Sequence, residues 1–167
     1  MKRISKYNSC GRDNEKLFNM GFHPVMLYIF PTAWLISLPF NFVVDSIVLL
    51  IGFKIFGKEK VWLNWRRSIL LSWIFGYIAD LIASFFLMGC EFAAGRFKTG
   101  IIGNAFSGVI PFLLTLVSVL IAGVLIYVFN IKIALRKTEL DQKTRQKVAL
   151  LMALVTMPYM FFMPLTF

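Results

Sequence analysis

Between Phe22 and Phe53 the chain runs for 32 residues with one formal charge, Asp45. No soluble loop tolerates such a run, and about 20 apolar residues already suffice to cross a hydrocarbon core about 30 Å thick. Three further apolar runs follow, each bounded by charged or glycine-rich connections. With 59% hydrophobic and 16% charged residues, the chain departs from a soluble domain in the direction of a membrane protein. The pattern predicts an all-α integral membrane bundle of about four transmembrane helices, at about 31–56, 68–88, 104–129 and 148–167. Residues 1–21 read as a basic polar N-terminal tail, and 22–167 as a single transmembrane domain.

The first run is too long for one perpendicular helix, which would reach about 48 Å at about 1.5 Å per residue. Pro24, Pro31 and Pro39 divide it. Pro31 suits the first turn of a helix, where its missing N–H is no loss. Pro39 falls inside and either kinks the span or turns it back as a re-entrant hairpin at Pro39-Phe40-Asn41.

The net charge of +10 does not point to nucleic acid, because the basic residues lie between the spans. The loop 54–67 holds Lys54, Lys58, Lys60, Arg66 and Arg67, and the segment 130–147 holds Lys132, Arg136, Lys137, Lys143, Arg145 and Lys147. The loop 89–103 has only Arg96 and Lys98. The positive-inside rule places the two rich loops in the cytoplasm, beneath a plasma (inner) membrane whose anionic head groups they would meet. With four ordinary spans the basic tail would then lie outside, against the same rule, and a re-entrant first segment would remove the conflict. Within 130–147 the pairs Glu139/Lys143 and Asp141/Arg145 have the spacing of helical ion pairs, which predicts a helix continuing from the third span.

Inside the spans, small and polar residues recur on one face. Ala33, Ser37, Asn41 and Asp45 follow at every fourth position, as do Ser68, Ser72, Gly76, Asp80 and Ser84. A third seam runs through Asn104, Gly108, Pro111, Thr115, Ser118 and Ala122. Small residues allow close helix approach and hydroxyls bond across helices, so packing alone accounts for most of this pattern. Packing does not account for two carboxylates. An acid at the centre of a bilayer helix costs about 2.5–3.5 kcal/mol on insertion scales, so Asp45 and Asp80 are functional candidates. Counted from the basic loop, their depths in antiparallel helices differ by about 6 Å, close enough to share one site.

These residues point to a small transporter or channel subunit that handles protons or cations. Asp45 and Asp80 would be the ion-handling acids, with Asn41, Ser37, Ser72 and Ser84 supplying neutral oxygens. A chain of 167 residues is small for a complete transporter, so a homo-oligomer or a larger membrane complex is expected. The alternative is a non-catalytic accessory or assembly subunit whose acids pair with a partner helix. An enzyme is the weaker reading. His23 and Cys90 fall in no motif that would make a base and an activated thiol. Two cysteines and one histidine cannot close a zinc site. There is no phosphate-binding or dinucleotide motif, and no cofactor is implied. The closing run LLMALVTMPYMFFMPLTF reads as a lipid-facing or helix-packing surface.

Overall fold

A computed structural model describes residues 31–57, 60–95 and 105–163. The basic tail 1–21, the run 22–30 with Pro24 and His23, most of the glycine-rich loop 89–103, and residues 164–167 lie outside these. The elements are α1 (Pro31–Gly52), a π-helical turn (Phe53–Gly57), α2 (Val61–Gly95), α3 (Val109–Lys132), a 3-10 turn (Ala134–Lys137), α4 (Gln142–Thr156) and a second 3-10 turn (Tyr159–Phe162). No strand occurs among the described residues. α1 packs on α2, α2 on α3, α3 on α4 and α4 back on α1, so the helices close a four-membered ring.

Three stretches, Ser37–Gly57, Val61–Cys90 and Val109–Lys137, are long and apolar enough to cross a membrane. Their packing is inverted relative to a soluble bundle. On α1 the outward residues are Phe40, Val43, Ile47 and Ile51, and on α2 Leu70, Ile74, Ile78, Ile82 and Phe85. The small polar faces turn inward: Ser68, Ser72, Asp80 and Ser84 on α2, and Thr115, Ser118 and Ala122 on α3, are buried. Bulky apolar side chains gain nothing from leaving a lipid solvent, whereas small residues let backbones meet and polar ones find partners. Ser118 Oγ donates to the Ala83 carbonyl on α2 at 2.8 Å, and Ser72 Oγ donates to Asn130 Oδ1 on α3.

α1 continues through Pro39 as one helix, which excludes the re-entrant turn at Pro39–Asn41. Proline in a helix interior removes a donor and crowds the preceding turn, but a neighbouring helix can hold that turn in place. Here Trp73 on α2 supplies the hold. Its indole N–H donates to the Leu38 carbonyl at 3.0 Å, and its ring meets Phe42 edge-on at 5.6 Å.

The fourth segment is a helix of the bundle, but a broken one. α4 has 15 residues and would span only about 22 Å. It stops at Thr156, the chain turns at Met157–Pro158, and a 3-10 turn follows. The segment nevertheless runs the length of the bundle. Val148 shares a packed cluster with Leu135, just past the end of α3, while the Phe162 ring lies 5.6 Å from Phe112 near its start.

The expected helical continuation of α3 through 131–147 is not formed. α3 ends at Lys132, and α4 begins only after Asp141, whose side chain caps it by accepting from the Thr144 N–H at 3.1 Å. Glu139 therefore precedes the helix. It reaches across to the start of α2, meeting Lys60 just before that helix at 2.7 Å and Arg67 on it at 2.9 Å, while Asn64 Oδ1 accepts from its N–H at 3.1 Å. A capping aspartate starts a helix where it stands, so it overrides the (i, i+4) spacing of the charges before it. These contacts bring both basic connections to one end of the bundle.

Candidate functional site

Midway along the bundle, α1, α2, α3 and the broken α4 enclose a cleft of about 170 Å³. α1 contributes Phe40, Asn41, Val44 and Asp45, α2 Gly76, Tyr77 and Asp80, and α3 the buried Ile126. The remaining wall is the end of α4 and the break itself, from Val155 to Met160. Apart from the two acids, the described lining residues are apolar or carry a hydroxyl or an amide.

Asp45 and Asp80 thus face one cavity from adjacent helices, and both are buried, with 6% and 5% of their surface exposed. Gly76 explains how Asp45 fits. A Cβ built on Gly76 would lie 3.5 Å from Asp45 Oδ2, so the carboxylate rests over bare backbone on α2. No described residue forms a hydrogen bond or ion pair with the Asp45 carboxylate. Asp80 lies close enough to the Tyr77 hydroxyl to interact with it electrostatically, and Ser37 flanks that hydroxyl from α1.

The six residues singled out by spacing separate into three groups. Asp45, Asp80 and Asn41 line the cleft. Ser37 stands at its edge, beside Tyr77. Ser72 and Ser84 share the inward face of α2, but their hydroxyls donate elsewhere: Ser72 to Asn130 on α3, and Ser84 to the Asp80 carbonyl at 2.8 Å. Sequence spacing finds which residues face inward. It does not find which hydroxyls are taken up by a neighbouring helix or by their own turn.

Tyr77 and the break at Met157–Pro158 were not anticipated as parts of a site. A signal for the break exists, because the residue before a proline is steered away from helical backbone. Met157 fills the space that Gly123 leaves on α3, where an added Cβ would come within 3.0 Å of the methionine Cε. Non-helical backbone at membrane depth is tolerated where it is buried in protein or lines a polar cavity, and here it lines the acidic cleft. Thr156 spends its hydroxyl on the Met152 carbonyl at 2.8 Å, and the Tyr159 hydroxyl donates to the Leu154 carbonyl, so both ends of the break are pinned to α4.

Fold and site together define a multi-pass helical membrane protein with an acidic cleft inside its bundle. No protein-family model matches the chain, and no curated protein or solved structure matches it either.

Proposed function

We propose that the chain is a subunit of a small transporter or channel that handles protons or cations at the cleft between Asp45 and Asp80. One observation carries this reading: two buried carboxylates from adjacent helices line one cavity at mid-span, beside a break in a third helix. Burying an acid in a membrane protein costs free energy that packing alone does not repay, and such residues mark ion and proton paths. Broken helices beside a mid-membrane site are a recurrent way of placing backbone carbonyls near a cation. On this reading the basic end, with residues 54–67 and 130–147, faces the cytoplasm of a plasma membrane and meets anionic head groups. On this reading a homo-oligomer or a larger membrane complex is the working unit.

The test is flux in liposomes that contain only this chain. Proton or cation flux should appear with the wild type and fall at least about ten-fold in Asp45→Asn and in Asp80→Asn, a change worth about 1.4 kcal/mol in the rate-limiting interaction. Flux unchanged by both substitutions would sink the reading. Absence of flux together with a stoichiometric partner on purification would favour the accessory-subunit alternative.

A further inference from the structure

The proposed cation site pairs its two acids with a wall rich in rings, and that composition bears on which cations it can take. The cleft offers two carboxylates, the Asn41 amide and the Tyr77 hydroxyl, while the hydroxyls of Thr156 and Tyr159 are donated to backbone carbonyls. Around the acids stand three aromatic rings, Phe40, Tyr77 and Tyr159, and the thioethers of Met157 and Met160. Aromatic faces attract cations whose positive charge is spread over methyl groups, and aromatic cages are the usual receptors for quaternary ammonium. The volume suits such a head group. A cavity of about 150 Å³ accommodates a benzene ring, and this one is about 170 Å³.

The mouth of the cleft also constrains its ligand. Phe40 is 62% exposed, Tyr159 51% and Met160 46%, although all three line the same cleft as the 6%-exposed Asp45. Phe40 lies about 13 Å from the start of α1 and about 18 Å from its end, counted at about 1.5 Å per residue. Within the apolar stretch Ser37–Gly57, Phe40 lies about 4.5 Å from one end and about 25 Å from the other, so the opening is on the outer surface of the span, toward one end of it. A ligand entering there carries a hydrocarbon substituent outward and a cationic head inward.

From these features we infer that the cleft binds an organic ammonium cation, its methylated head between Asp45 and Asp80 and its apolar substituent leaving past Phe40 and Tyr159. The inference rests on the reading of the cleft as a cation site and specifies the class of cation. Asp45 provides the main attraction, being nine-tenths buried, directed into the cavity and without a partner among the described residues.

The probe is tritiated benzyltrimethylammonium, measured by scintillation proximity on the full chain in nanodiscs of zwitterionic lipid, with empty nanodiscs subtracted. Saturable binding is expected, competed by unlabelled probe and not by neopentylbenzene, its uncharged carbon analogue. Asp45→Asn should weaken binding at least ten-fold, Asp45→Glu should retain most of it, and Phe40→Ala should weaken it several-fold. Retention by the glutamate variant separates loss of charge from loss of fold. Absence of saturable binding, or equal competition by neopentylbenzene, overturns the inference. Flux of protons or sodium, followed in the same preparations reconstituted into liposomes, separates the two readings. Asp45-dependent flux without probe binding overturns the ligand class alone, and neither flux nor binding overturns both. Asp45-dependent binding without flux supports the ligand class and removes the transport reading.

Discussion

The bundle holds its acids in two contrasting settings. At the basic end, Glu139 is exposed and meets Lys60 and Arg67, and Asp141 caps α4. At mid-bundle, Asp45 and Asp80 are buried in a cleft walled by rings, aliphatic groups and neutral polar side chains. In the first setting water already solvates the charge, so the ion pairs add little and serve mainly to align two connections. In the second, burial removes a carboxylate from solvent, and no described residue provides a cation for Asp45. The first arrangement is what folding alone would select. The second makes sense when something else supplies the charge, as a proton or a bound cation does.

The largest expected effect lies at mid-bundle and separates activity from stability. Asp45→Asn should lower proton or cation flux at least about ten-fold yet leave the thermal midpoint in detergent unchanged or higher, because it removes a buried charge. A clear loss of stability with flux preserved would reverse the roles assigned to the two regions. Next comes the interior polar contact between α2 and α3. Ser72→Ala removes the donor to Asn130, and leaving a buried acceptor without it should cost about 1–3 kcal/mol, read from unfolding in a denaturing detergent titration.

At the basic end the effects should be small and dependent on pH. Hydrogen bonds from Lys60, and then Arg67, hold the Glu139 carboxyl below its usual range. A lowered folded value means that the contribution is present above the ordinary glutamate range and is lost as pH falls through the folded value. The thermal midpoints of the wild type and Glu139→Gln should therefore differ slightly at neutral pH and converge in acid. A difference that grows on acidification would contradict the exposed ion pairs. The smallest perturbation is a label. Cys90, half-buried near the end of α2 remote from the basic connections, should react with a membrane-impermeant thiol reagent on intact cells if that end faces outward. Reaction only after permeabilisation would invert the proposed sidedness.

Two prolines show how far the sequence can be read. Pro39 and Pro158 both interrupt apolar segments, and locally each imposes the same loss of a donor and the same crowding. At Pro39 the helix persists because Trp73 and Phe42 hold its turn against α2. At Pro158 the helix stops, and the next turn packs Phe161 among Tyr77, Leu87 and Val119. The difference lies in what each proline packs against, so a rule about proline alone does not distinguish them. The same holds for the charges of 130–147, where spacing points to Lys143 as the partner of Glu139 and the fold supplies Lys60 and Arg67. The inward stripes on α1, on α2 and on α3 from Thr115 to Ala122 were legible because helical periodicity and the preference for small residues at transmembrane contacts are both local properties of sequence, whereas Gly108, counted in the same seam, is exposed ahead of α3.

By itself the sequence determined that this chain lives in a membrane, that its spans pack through small polar faces, and that two acids lie within those spans. Each follows from hydrophobic length and helical period, which need no knowledge of neighbours. Only the tertiary structure decided that Asp45 and Asp80 share one cleft, that the helix breaks at Met157–Pro158 beside them, and that Ser72 and Ser84 donate elsewhere. A hydrogen bond or a cavity belongs to pairs of helices, and how those helices meet depends on the packing of the whole ring.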